Sequence, residues 1–122
     1  MSAILEEFNK RRSRQNQSVS KADFLPYKRF FALDNQTYSE GVLSAKTKEM
    51  LGLTASMVLR CNDCILYHLE KSVECGCTRE ELYEAMNVAL VVGGSIVIPH
   101  LRFAFDALDE LLPHAPADIS EQ

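Results

Sequence analysis

The sequence has no run of about 18 apolar residues, and its first twenty residues lack the apolar stretch of a secretory signal, so a membrane-spanning or exported chain is not expected. No segment alternates apolar and polar residues with period two for long, which argues against a sheet. Internal repeats and low-complexity tracts are absent, and no second Cys-x-x-Cys or His-x-x-x-His completes a zinc pattern. The four cysteines are not needed as staples, because a chain of 122 residues removes roughly two-thirds of its extended surface from water on folding. The expected setting is cytoplasmic and reducing. There, closely spaced cysteines are more often catalytic, redox-active or metal-binding than structural.

What is present suits one domain: 47% of the residues are hydrophobic and 25% charged. The net charge of −4 is unevenly spread. Residues 1–30 carry seven Lys/Arg against three Asp/Glu, and the remainder six against fourteen. The basic stretch Lys10-Arg11-Arg12-Ser13-Arg14 is short, has no interleaved aromatics and sits on an acidic body, so a nucleic-acid partner is not expected. The expected organisation is a basic N-terminal arm over 1–24, a helical domain over 25–112 and a polar tail over 113–122.

Helical spacing of apolar residues predicts an all-α fold of about six helices. A short amphipathic helix over 2–12 carries Ile4, Leu5 and Phe8, followed by a polar linker from Gln15 to Ser20. Pro26 opens a second helix with Tyr27, Phe30, Phe31 and Leu33, ending near Asp34-Asn35. Ser44 caps a third through about Leu59. A fourth covers roughly Asn62–Glu74 and stops at Gly76. Thr78 and Glu81 form a capping box that starts the fifth. From Ala85 to Val92 this helix is apolar nearly all round except at Asn87, which a 122-residue monomer can hardly bury, so oligomerisation is expected. Gly93-Gly94 ends it, and a last helix runs from about Ser95 to Leu112.

The chemistry concentrates in Cys61-Asn62-Asp63-Cys64-Ile65-Leu66-Tyr67-His68. On a helix, Cys61, Cys64 and His68 share one face, and sulfurs one turn apart can meet in a disulfide. Closing so short a loop stabilises a fold by about 2 kcal/mol, a weak structural motive. Redox cycling is a better one, since a helix start favours thiolate, and His68 can accept its proton or stabilise its charge. Two other readings stay open: a zinc site of Cys61, Cys64 and His68 with Glu49 or His100 as fourth ligand, and inert buried cysteines beside a core histidine. His100, after Pro99, is expected first as a packing or capping histidine, with an auxiliary role reaching the site across an interface as the alternative. His114 is expected to be exposed, Cys75 and Cys77 to be small buried apolar residues, and Tyr67 to serve in packing.

Glu49, eleven intervening residues, Cys61-x-Asp63-Cys64, three residues and His68 resemble the signature of the AhpD-like branch of the carboxymuconolactone decarboxylase family. Gly76-Cys77-Thr78-Arg79-Glu80-Glu81 is similar to a helix junction of that family, with Cys77 where alanine is more usual. The resemblance spans about residues 25–112. It implies an all-helical subunit in trimers or hexamers that reduces hydroperoxides with an external dithiol or thiol protein, without metal, flavin or haem. By position, Cys64 would be the attacking thiol, Cys61 its resolving partner, and His68 with Glu49 the proton relay. On one continuous helix Glu49 would lie about 18 Å from Cys61. A hairpin reversing near Arg60 would bring it back beside His68. The alternatives in function are a non-enzymatic redox-sensing oligomer, and a lyase in which His68 or His100 carries the proton.

Overall fold

The computed structural model describes residues 3–113; His114 and the remaining tail lie outside the described residues. The described chain is all-α, with no strand: α1 (Ala3–Lys21), α2 (Leu25–Thr37), α3 (Ala45–Val58), α4 (Asn62–Glu74), α5 (Arg79–Gly93) and α6 (Ile98–Leu111), with one 3₁₀ turn at Ser95–Val97. Three helix starts follow from local chemistry. The Ser44 hydroxyl accepts from the Thr47 N–H at the head of α3, α2 carries Pro26 in its first turn, and Thr78 with Glu81 completes a reciprocal capping box on α5.

The first helix departs from expectation. It does not stop at residue 12 but runs through Gln15–Ser20 to Lys21. Polarity alone does not break a helix, and this stretch holds neither glycine nor proline. The end of α2 likewise lies beyond Asn35, where Thr37 Oγ1 donates to the Leu33 carbonyl at 2.8 Å.

Helix α3 packs between α4 and α5, α6 packs on α4, and α1 lies across α4 and α6. Their buried faces form one core that includes Leu53 and Met57 of α3, Ile65 and Leu69 of α4, Leu82 and Met86 of α5, and Ala104 and Leu108 of α6. Leu5 and Phe8 anchor α1 in it, at 2% and 3% exposure. The C-terminal half of α1 is exposed, and α2 buries none of its residues. Thus the apolar face expected on α2 exists as a helix face but meets solvent in the single chain.

Two reversals use the same device. After α3 the Arg60 N–H donates to Met57 O and the Cys61 N–H to Ser56 O; after α4 the Gly76 N–H donates to Val73 O and the Cys77 N–H to Ser72 O. Both are Schellman ends with a left-handed residue, Gly76 at φ 93° and Arg60 at φ 59°. The chain therefore reverses at Arg60, making α3 and α4 an antiparallel pair.

Candidate active site

The α3–α4 reversal carries Glu49 back beside the second turn of α4. Its carboxylate, 6% exposed, accepts from His68 Nδ1–H at 2.9 Å. Because a carboxylate only accepts, the proton of the neutral imidazole belongs on Nδ1 and the lone pair on Nε2. The hydroxyl of Tyr38, just past the end of α2, lies 3.4 Å from Nε2. Burial, and then the charges of Asp34 and Glu49, hold the Tyr38 phenol above its ordinary value, so it is a neutral O–H donor. Gly52 backs the ring from α3: a Cβ there would lie 2.8 Å from Nδ1 and Cε1. Tyr67 stands edge-on to the same ring, centroids 5.1 Å apart.

One turn before His68, Cys61 and Cys64 are joined in a disulfide, with Cα atoms 5.3 Å apart. Cys61 is the N-cap of α4, and its sulfur accepts from the Cys64 N–H at 3.3 Å. Charge released onto the Cys61 sulfur therefore meets a backbone donor and the positive end of the helix. Cys64 is the more exposed of the two. It opens, with His68 and Tyr67, into a cleft of about 340 Å³ whose other walls include Phe8, Arg12 and Asn16 of α1 and Asp34 of α2.

Helix α1 is pinned to the Cys-x-x-Cys turn itself. Arg11 grips the Asp63 carboxylate with two bonds of 3.1 Å, and Asn9 donates to Glu70 at 3.1 Å. The Arg12 guanidinium lies 4.5 Å from the centre of the Tyr67 ring. So the basic run of α1 forms one wall of the site, and Tyr67, expected only to pack, lines the cleft as well.

Of the residues singled out by sequence, Glu49, Cys61, Cys64 and His68 are brought together. His100 is not at the imidazole; its Nδ1 pairs within the same chain with Asn62 Oδ1, at 2.8 Å, beside Cys61. Cys77 is buried at 4%, and burial pushes its thiol up. Cys75 corrects the expectation of a buried residue: it is exposed, because it caps the outer end of α4. Among the described residues no group of three or more His, Cys, Asp or Glu is arranged to hold a metal ion. Tyr38 and Gly52 were not legible as site residues. Gly52 lies one turn after Glu49 on α3, a spacing that could have flagged it once His68 was placed opposite; no spacing rule reaches from Tyr38 to His68, thirty residues on.

A model described as the carboxymuconolactone decarboxylase family matches residues 26–110. A Thermotoga maritima protein is 53% identical, with a TM-score of 0.85 over 87% of this chain and 93% of that one; it is described in a second structure as a member of that family with a suggested involvement in antioxidative response. A member from Legionella pneumophila is 26% identical, with a TM-score of 0.83 over 90% of this chain and 98% of that one. An uncharacterised protein of the cox locus of Paracoccus denitrificans is 29% identical over 82 residues, 67% of this chain and 74% of that one.

Proposed function

We propose that this chain, which belongs to the carboxymuconolactone decarboxylase family, is a thiol-dependent hydroperoxide or disulfide reductase working through Cys61 and Cys64. The observation that carries this reading is the Cys61–Cys64 disulfide one turn from an imidazole backed by buried Glu49. In the dithiol form, His68 takes the Cys64 proton. The thiolate attacks the terminal oxygen of the hydroperoxide, the O–O bond breaks, and Cys64 becomes a sulfenic acid. His68 returns the proton to the departing alkoxide, which leaves as an alcohol. Cys61 then attacks the Cys64 sulfur, expelling hydroxide that leaves as water, and the disulfide forms. An external dithiol attacks exposed Cys64 and expels the Cys61 thiolate, whose charge the helix start accommodates. Its second thiol resolves the mixed disulfide and departs oxidised.

Cys64 is assigned as the attacking thiol because it is exposed and lines the cleft, whereas Cys61 is half-buried. The test is steady-state reduction of an alkyl hydroperoxide with a dithiol reductant. Cys64→Ser is expected to abolish turnover, and Cys61→Ser to leave one slow reaction per chain that stops at the sulfenic acid. Turnover surviving Cys64→Ser would overturn the assignment. Activity on a lactone acid surviving loss of both cysteines would favour the lyase reading. Disulfide formation without turnover would favour a redox sensor.

A further inference from the structure

Both nitrogens of His68 are engaged in the disulfide form, and among the described residues neither partner is a cysteine. Nδ1 donates to Glu49 at 2.9 Å, and Nε2 lies 3.4 Å from the Tyr38 hydroxyl. The rings of Tyr38 and His68 are tilted against each other with centroids 5.0 Å apart, so contact extends beyond the polar atoms. Resting on the thiol-reductase reading above, we propose that Tyr38 is a positioning residue for the proton relay. It holds the Nε2 lone pair of His68 in place while the disulfide is closed and yields it to a thiol once the disulfide opens.

Glu49 anchors one edge of the ring, which leaves rotation about the bond to Cβ and tilt about the Nδ1 contact unopposed on the other edge. Gly52 packs against the ring face, and Tyr67 stands edge-on. Tyr38 alone among the described residues meets the Nε2 edge with a polar atom. A donor there favours the neutral tautomer with the proton on Nδ1, the form whose Nε2 can take a proton from a thiol. The Nε2 contact is the longer of the two, at 3.4 Å against 2.9 Å. Its hydrogen bond is the weaker and so the one exchanged during turnover. Glu49, by contrast, is buried and makes the shorter contact, at Nδ1.

Tyr38→Phe separates the hydroxyl from the ring. In ¹⁵N-histidine spectra of the oxidised wild-type protein, His68 is expected to show a protonated Nδ1 and a hydrogen-bonded, unprotonated Nε2. Tyr38→Phe should move the Nε2 signal toward that of a free imine nitrogen and leave Nδ1 in place. In turnover, kcat should fall on the order of tenfold, as for a catalytic group held less well, while KM for the hydroperoxide is unchanged. Thermal unfolding of the variant checks that the ring still packs, and Tyr38→Leu, which loses ring and hydroxyl, should lose no more in kcat than a few-fold beyond Phe. An unmoved Nε2 signal overturns the proposal, as does an unchanged kcat. The spectra need no turnover. If wild type reduced no hydroperoxide yet Nε2 still responded to Tyr38→Phe, the reductase reading would fail and the placement of His68 by Tyr38 would stand.

Discussion

A methyl group at Gly52 would lie 2.8 Å from two atoms of the His68 ring, closer than any side chain tolerates. The ring cannot retreat freely, because Nδ1 is tied to Glu49 and the far edge faces Tyr38. Gly52→Ala should therefore push the imidazole off one of its partners. Overpacking of this kind costs typically 1–3 kcal/mol, about what a folded domain tolerates. A shift of about 1 Å in a catalytic group can cost on the order of a hundredfold in rate. Gly52→Ala is thus expected to remain helical by circular dichroism, to unfold at a lower temperature, and to lose between tenfold and a hundredfold in kcat by the same argument. Wild-type turnover in this variant would mean that the placement of His68 is not rate-determining. The buried carboxylate is a different case: by local pattern Glu49 resembles a helix-surface acid, the family resemblance singles it out, and the reversal at Arg60 makes it a partner of His68.

At the scale of elements, that reversal is built on an imperfect residue. Arg60 occupies the left-handed position after α3, at φ 59°, where a side chain costs roughly 1–2 kcal/mol relative to glycine. Arg60 is exposed and its side chain takes no part in the core. Arg60→Gly should therefore stabilise the protein by about 0.5–1 kcal/mol, after the entropy that glycine adds to the unfolded chain is subtracted. The measurement is the urea midpoint at unchanged slope; a lower midpoint would show that the arginine makes a contact worth more than the strain. The elements that sequence exposed best are those whose limits are written in two or three neighbouring residues: Ser44 at α3, Gly76 after α4, and Thr78 with Glu81 at α5. Helix α1 exceeds its expected length because its second half has no buried face, so the apolar period vanishes while the helix goes on. Of the site, the cysteine pair and His68 are local on α4, so their shared face was legible. Tyr38 and the Arg11–Asp63 clamp join elements far apart in the chain, and no local pattern announces them.

For the whole molecule, the unsolved balance is apolar surface. Val88, Val91 and Val92 of α5 are 52%, 78% and 69% exposed, at the three- and four-residue spacing that puts them on one helix face. Leu82, Met86 and Ala89 turn a different face of the same helix into the core. Leu51 and Val88 line a groove of about 410 Å³ between α3 and α5. On α2, Tyr27, Phe30 and Phe31 repeat the same spacing on exposed surface. Single exposed hydrophobics are ordinary, but two helices that each turn an apolar stripe outward mark an association surface. No helix among the described residues is long and apolar enough to cross a membrane, so these stripes are not spans. The prediction these stripes support is association with further copies of the chain, and the trimer or hexamer implied by the family resemblance is the assembly to test for the 13.7 kDa subunit. Burying a valine contributes on the order of 1.5 kcal/mol, and placing a charge there costs more, repeated at every interface of a symmetric ring. Val91→Glu is therefore expected to shift sedimentation velocity from the assembly to the monomer. It should leave the helical signal of the folded monomer intact, since Val91 is 78% exposed. Helix α2 also walls the cleft at Asp34, so dissociation should lower turnover along with mass if the assembled faces shape that wall. A wild-type protein that sediments as a monomer at working concentration would overturn self-association through these stripes.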